Sequence, residues 1–414
     1  MKTLSDFDLR GKTVLLRADL NSDVRTQGFL PTSFKNGKVV LGERIIQAAG
    51  SILKLKKAGA RVVVLAHQGT RPKGLRRGFG VSGFRGFGGG GDFLSLRQHS
   101  KFLNKYVKVK FVEDVCGAKA VGAIGKMKDG EVVLLDNVRF VEDEFKPKKK
   151  GNVLLKNLMP LFDLYVNDAF SVCHREHTSI VGFAGGMPSC AGPLLEKELK
   201  ALDKIKLKKC LCILGGAKPE SNMRLLVAGR RSSVVGCRKV LACGLFGQTC
   251  VVAKGKDLGY QNKYLRENVL VKGGYEKFLK ILKSRLRRVR LPVDFAVAEN
   301  GKRVEYSLDE FPLDYEIMDI GAETLKEYIK EIRKAKMIYV KGPAGFVGDA
   351  KFEKGTVEIL KAVAGAKGFS IVGGGHLSDV IARHKLKGFG HVSLSGGALV
   401  RYIAGEKLPG LEVL

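Results

Sequence analysis

Short apolar runs recur through the first half of the chain, and each stops abruptly in a polar cluster. Residues 11–21 (G-K-T-V-L-L-R-A-D-L-N) predict a strand that ends in Arg17, Asp19 and Asn21. Residues 43–57 place Ile45, Ile46, Ala49, Ile52 and Leu53 at helical spacing against a cationic far face, with Arg44 at the helix start. Residues 61–66 predict a second strand, followed at once by His67, Gln68, Gly69, Thr70, Arg71 and Pro72. A helix over 94–107, a short strand over 109–112 and a strand over 131–140 come next, the last carrying Asp136, Asn137 and Arg139. The run 161–166 then ends in Asn167 and Asp168. Alternating strands and helices predict an α/β fold with a parallel, doubly wound sheet whose ligand lies at the carboxyl ends of the strands.

The second half is punctuated by glycine instead. A continuous helix over 194–207 has the look of a connector between halves. After it, strands over 210–214, 240–242, 337–340 and 369–372 run into Gly215-Gly216-Ala217-Lys218, Cys243-Gly244, Lys341-Gly342-Pro343-Ala344-Gly345 and Gly373-Gly374-Gly375-His376. Glycine at a strand-to-helix turn lets a phosphate approach backbone N–H groups at a helix N-terminus. None of the four turns carries the full G-x-G-x-x-G fingerprint, and a tight turn also uses glycine for geometry alone. Singly each is a weak sign; together they point to a nucleotide. The G-K-T at residues 11–13 is no P-loop, because it precedes its strand and lacks the upstream glycine.

One stretch concentrates chemistry. Residues 165–182 read Y-V-N-D-A-F-S-V-C-H-R-E-H-T-S-I-V-G, with His174, Arg175 and His177 within four positions of a chain that has only seven histidines. Clustered cations and hydrogen-bond donors after a strand end suit an anion. The alternative is a capped helix start with solvated basic residues.

Length fits two domains of roughly 200 residues each. Formal net charge is +32, which raises nucleic acid as a partner, yet the basic residues are spread over most of the chain and no RNA-stacking run stands out. The Gly/Arg-rich stretch 74–92 reads as a flexible surface insertion with at most weak affinity for RNA. Eight cysteines without C-x-x-C spacing, several inside apolar runs, predict reduced thiols, no structural zinc and a cytoplasmic location. No membrane-length apolar run and no secretory signal is present.

In order along the chain stand R-A-D-L-N at 17–21, Arg44, H-Q-G-T-R-P at 67–72, L-D-N-V-R-F at 135–140, V-N-D-A-F-S-V-C-H-R-E-H at 166–177 and G-G-A-K at 215–218. L-P-V-D at 291–294, D-I-G at 319–321, G-P-A-G at 342–345, G-G-G-H at 373–376 and H-V-S-L-S-G-G-A at 391–398 follow. In this collinear set the chain resembles phosphoglycerate kinase, and most closely its archaeal branch. The resemblance implies two Rossmann-like domains joined by a helix: residues 1–188 for phosphoglycerate, 189–395 for the nucleotide, and a segment 396–414 returning to the first domain. It implies reversible phosphoryl transfer between 1,3-bisphosphoglycerate and ADP with Mg2+, by a monomer. Phosphoglycerate contacts fall on Asp19, Asn21, Arg44, His67, Arg71, Arg139, His174 and Arg175. Nucleotide contacts fall on Gly215, Gly216, Lys218, Gly342, Gly374, Gly375, His376 and Leu377, with Arg44 and Lys218 acting on the transferring phosphoryl group.

Four departures from the family pattern bear on activity. Thr70 is an extra residue in the H-x-G-R-P loop, and Asn222 stands where bacterial and eukaryotic members carry a second lysine. Gly348 replaces the glutamate that meets the nucleotide ribose, leaving neighbouring Asp349 as a substitute, and His376 replaces a metal-associated aspartate. Loss of one ribose hydrogen bond weakens nucleotide binding by about 1.5–3 kcal/mol, so a working kinase with a high nucleotide KM is expected. Gly348 and Asn222 equally suit a non-catalytic paralogue, and the charge suits a nucleic-acid-binding protein.

Overall fold

The computed structural model describes residues 1–25, 37–71, 93–227, 237–269, 271 and 273–414. The Gly/Arg-rich stretch 74–92 and Pro72 lie outside the described residues. The chain forms two compact units, Met1–Leu199 with Lys407–Leu414, and Lys200–Glu406.

The first unit is built on β1 (Thr13–Arg17), a short pair β2 (Val24–Arg25) and β3 (Lys38–Val39), then β4 (Arg61–Leu65), β5 (Lys110–Val112), β6 (Val132–Leu135), β7 (Leu164–Asn167) and β8 (Ser189–Ala191). Six of these make a parallel sheet in the order β5-β6-β4-β1-β7-β8. Alternate residues face opposite cores: Val14, Leu16, Val62 and Val64 on one side, Leu15, Val63 and Leu65 on the other. Burial on both faces is what a doubly wound sheet requires, and it explains why the strands read as unbroken apolar runs. The helix Glu43–Lys57 coincides with the predicted span and buries Ile45, Ala48, Ala49, Ile52 and Leu55, while Ile46 is exposed.

The second unit carries β9 (Leu211–Leu214), β10 (Lys239–Ala242), β11 (Val289–Arg290), β12 (Asp294–Glu299), β13 (Lys302–Ser307), β14 (Ile317–Ile320), β15 (Met337–Lys341), β16 (Phe369–Gly373) and β17 (His391–Ser393). Its parallel sheet runs β11-β10-β9-β15-β16-β17, with β13-β12-β14 as a separate antiparallel layer. In each parallel sheet the connections leave in opposite directions from a central pair, β1/β7 in the first and β9/β15 in the second. At such switch points the carboxyl ends open a crevice.

Several expectations need correction. The helix predicted over 94–107 is only Arg97–Leu103, because Asp136 captures the N–H of Leu96 at 2.8 Å and Asn104 turns back to the Val109 backbone. The strand predicted over 131–140 ends at Leu135, and Asn137 caps a short 3-10 turn, Val138–Phe140. The connector is Pro193–Leu202 rather than 194–207, since Lys204 and Ile205 close tight turns onto Ala201 and Leu202. The units part inside that helix, between Leu199 and Lys200. The return segment begins at Lys407, where Gly410 donates its N–H to the Cys173 carbonyl at 2.9 Å.

Cysteine chemistry also differs from the expectation of eight thiols. Cys212 and Cys237 form a disulfide with Cα atoms 6.3 Å apart. Cys212 lies on β9 and Cys237 just before the neighbouring β10, so the fold pairs residues whose sequence separation of 25 hides them from any short spacing rule. The other six cysteines are free and buried. No helix among the described residues is long and apolar enough to cross a membrane.

Candidate functional site

Parallel register puts the ends of β1, β4 and β7 at one level, Arg17 facing Leu65 on one side and Asn167 on the other. The polar clusters that follow therefore share one edge. Asp19 accepts the hydroxyl proton of Ser171 at 2.5 Å and lies 3.4 Å from Arg44 Nε. Arg44 Nη1 donates to the Asn21 carbonyl at 2.7 Å, while Asn21 Oδ1 accepts the Gly69 N–H at 2.7 Å. Arg71, on the far side of the extra Thr70, donates through Nη1 to the carbonyls of Arg139 and Phe140, both at 3.0 Å. Arg139 in turn bonds the Gly69 carbonyl, and its buried Nε has no hydrogen-bond partner. The two loops thus hold each other, and the guanidinium of Arg139 keeps a donor unused.

Arg17 was quoted in the sequence pattern but not placed among the site residues, yet it is the most informative of them. It is one of the largest fully buried side chains of the chain. Its Nε donates to Ser179 Oγ at 2.9 Å, and Nη2 lies 3.1 Å from His67 Nδ1. Ser179 passes its own proton to buried Glu144 at 2.7 Å, and its backbone N–H reaches the same carboxylate at 2.8 Å. His177 packs edge-on to Phe145, with Nδ1 3.5 Å from Glu144. His174 stands 3.4 Å from the Nε of Arg175. Far from a solvated helix start, 165–182 forms the wall of a buried cation cluster.

Electrostatics follow from that crowding. Burial, then Arg17, Arg139, Arg175 and Arg44, drive the His67 imidazole well below its ordinary range, so it is neutral. Burial first, then Arg175 and Arg17, push Arg139 down to about 10, and burial with Arg17 lowers Arg175 as well. A guanidinium destabilised by its neighbours is a group that gains when an anion arrives.

In the second unit the glycine turns divide into two kinds. A Cβ on Gly215 would lie 2.3 Å from the Pro343 carbonyl oxygen, and one on Gly342 (φ +72°) would lie 2.4 Å from the Gly215 carbonyl. The N–H groups of Gly215 and Gly216 are already given to Lys341 and Pro343. These glycines let strand ends pack. Gly374 (φ +116°) and Gly375 face open space instead, and Gly375 begins the helix Gly375–Arg383. The first bond of that helix runs from Ser378 N–H to Gly374, which leaves the N–H groups of Gly375, His376 and Leu377 at a positive helix end. His376 is exposed, whereas the Leu377 side chain is buried in the core, so only its backbone faces outward. Lys218 is exposed just before the helix Pro219–Val227.

The family model for phosphoglycerate kinase matches residues 4–406. The chain belongs to the phosphoglycerate kinase family. It is 37% identical over 423 residues to phosphoglycerate kinase 2 of Methanosarcina acetivorans, covering 100% of this chain and 94% of that one. Identity to the Methanopyrus kandleri phosphoglycerate kinase is 34% over 426 residues, with 100% and 97% covered. Among solved structures, phosphoglycerate kinase from Pyrococcus horikoshii OT3 superposes with a TM-score of 0.85 at 33% identity, covering 100% of this chain and 98% of that chain. Members of the phosphoglycerate kinase family are phosphotransferases that act on a carboxyl group and bind phosphoglycerate and ADP or ATP.

Two departures from the phosphoglycerate kinase pattern acquire physical content. A Cβ on Gly348 would come within 2.6 Å of the tip of the Phe346 ring, so the exposed Phe346 side chain occupies the space that a side chain at this position would take and would have to swing aside for one. Neighbouring Asp349 uses Oδ1 to cap the Lys351 N–H at 2.9 Å. Asn222 is fully buried between Gly215, whose carbonyl it bonds at 2.9 Å, and the amine of Lys341 at 2.5 Å.

Proposed function

We propose that the chain moves a phosphoryl group reversibly between 1,3-bisphosphoglycerate and ADP, giving 3-phosphoglycerate and ATP. The observation that carries this reading is the cluster of Arg17, Arg44, Arg139 and Arg175 around a neutral His67 at the β1/β7 switch point. A three-carbon acid that carries a carboxylate and one phosphate, or two phosphates once the carboxylate has become an acyl phosphate, matches that excess of cation. Asp19, Asn21, Arg44, His67, Arg71, Arg139, His174 and Arg175 hold the phosphoglycerate, with Arg17 behind them. Asp19 and Asn21 orient Arg44 and the Gly69 turn through the bonds described above.

On the nucleotide side, the three N–H groups at Gly375–His376–Leu377 and the amine of Lys218 receive the phosphates, and the turns at Gly215, Gly216, Gly342 and Gly374 set the backbone. The acceptor carboxylate is already ionised at neutral pH, so its oxygen attacks the γ-phosphorus as the bond to ADP breaks and no general base is needed. His67, neutral and accepting at Nδ1, is not positioned as one. Arg44 and Lys218 balance charge on the transferring group, which is the main demand of this chemistry. No group of three His, Cys, Asp or Glu residues suited to a metal occurs among the described residues. Mg2+ fits as part of the nucleotide substrate, held by phosphate oxygens and water, a mode it favours. The enzyme acts as a cytoplasmic monomer, and its basic surface gives only weak, salt-sensitive contact with nucleic acid.

A coupled assay of 3-phosphoglycerate-dependent ATP consumption tests the reading, with Arg44→Ala as the internal check. That variant loses kcat by orders of magnitude and keeps its nucleotide affinity; a large loss of nucleotide affinity instead would reassign Arg44.

A further inference from the structure

Lys341 ends β15, one of the two strands at the switch point of the second unit, in register with Leu214 on β9 and Gly373 on β16. It therefore stands between the Gly215 turn and the open Gly374–Gly375 turn. Its amine lies 2.5 Å from Asn222 Oδ1, and the Asn222 amide holds the Gly215 carbonyl, so the half-buried side chain is tied to both strand ends. The neighbouring charge is another cation, Lys218, and no carboxylate lies within ion-pair distance of either amine among the described residues. An amide oxygen solvates an ammonium but does not neutralise it. Burial, with Lys218 second, brings Lys341 down to about 8, so the amine is still largely charged at neutral pH.

We infer that Lys341 is a second phosphate-binding cation of the nucleotide site, seated by Asn222 so that it and Lys218 flank the same polyphosphate. The inference rests on the nucleotide reading of this unit and adds a residue to it. The purely structural alternative is that Lys341 only ties the helix Pro219–Val227 to the sheet through Asn222. The two differ in what they demand of position 341: a site for phosphate needs a cation near it, whereas a tie needs the Lys–Asn hydrogen bond.

The test is calorimetric binding of Mg-ATP, inorganic tripolyphosphate and adenosine to the full chain, its Lys341→Met variant and the exchange variant Asn222→Lys/Lys341→Asn. Lys341→Met keeps the hydrocarbon stem that fills the half-buried space, and thermal unfolding verifies that each protein is folded. The expected result is a loss of about tenfold or more in affinity for Mg-ATP and tripolyphosphate in Lys341→Met, with adenosine unchanged. The exchange variant, which returns a cation from the helix side, recovers most of that loss. Tripolyphosphate binding within about twofold of wild type in Lys341→Met overturns the inference alone. So does an exchange variant that is folded but binds no better than Lys341→Met. Should the exchange variant not fold, the Lys341→Met comparison decides by itself. A wild-type chain that binds none of the three probes overturns the nucleotide reading and the inference together.

Discussion

Arg17 Nη2 lies 3.1 Å from His67 Nδ1, and because a guanidinium can only donate, the ring proton of His67 sits on Nε2. One buried contact thus fixes a tautomer and a charge state. The first unit offers an anion a neutral N–H donor inside a ring of arginines, and that donor has no reason to titrate near its ordinary value.

This has a consequence for stability. Below pH 6.5 the unfolded chain takes up a proton at this position that the folded chain refuses, so stability falls with acid. The contribution is intact above 6.5 and is lost by up to about 1.4 kcal/mol per pH unit below it. Urea unfolding of wild type and His67→Gln between pH 7 and 5 reads this directly. The stability difference between them moves against wild type as pH drops; a constant difference would show that His67 protonates normally in the folded state.

Arg17 is held through Ser179 to Glu144, a buried line of 2.9 and 2.7 Å bonds. Ser179→Ala leaves a guanidinium N–H and a carboxylate oxygen without that partner, a cost of about 1–3 kcal/mol. Chemical denaturation should show that loss. Steady-state kinetics should show a KM for 3-phosphoglycerate raised about tenfold with the nucleotide KM unchanged. Equal changes in both would mean that the variant disturbs the whole fold.

Gly215→Ala and Gly375→Ala separate packing from binding. The first places a methyl 2.3 Å from the Pro343 oxygen and 2.8 Å from Cys243 Sγ, an overpacking that costs about 1–3 kcal/mol. The second meets nothing within 4 Å. Gly375→Ala is therefore expected to unfold at the wild-type temperature while binding ADP more weakly, because its methyl would stand at the helix end to which the proposed function assigns the nucleotide phosphates. Thermal unfolding and ADP calorimetry on both variants check the pair.

Much of this architecture was legible in the chain. The apolar runs 61–66 and 161–166 located strands because both faces of each sheet are buried, and the helix start at Arg44 was legible because the helix Glu43–Lys57 has one strongly apolar stripe. Arg17 escaped because it closes an otherwise apolar strand whose burial the sequence does not reveal, and only its contacts with His67 and Ser179 across the sheet edge show that its side chain ends among cations. Lys341 escaped for the same reason: its meaning comes from Asn222, 119 positions away. The 194–207 helix was drawn too long because nothing local marks the turns at Ala201 and Leu202. Nor does sequence tell a packing glycine such as Gly215 from an open one such as Gly375, since the distinction lies in the carbonyl groups that surround each.

The absence of an acidic partner for ribose at Gly348, which has no side chain of its own to offer, predicts loose discrimination at the sugar. Kinetics with ATP and 2′-deoxy-ATP should give KM values within about threefold of each other, since one hydrogen bond to a charged acceptor would separate them by tenfold or more. A larger preference for ATP would locate a ribose contact elsewhere, Asp349 being the first to replace.

The central claim is tested most directly by following ATP consumption by the purified chain as 3-phosphoglycerate is titrated at saturating Mg-ATP. Saturable turnover that depends on 3-phosphoglycerate, and that falls by orders of magnitude in Arg44→Ala, is the predicted result. No turnover above background at any nucleotide concentration, in a preparation that calorimetry shows to bind phosphoglycerate, would contradict it and leave a ligand-binding protein without catalysis.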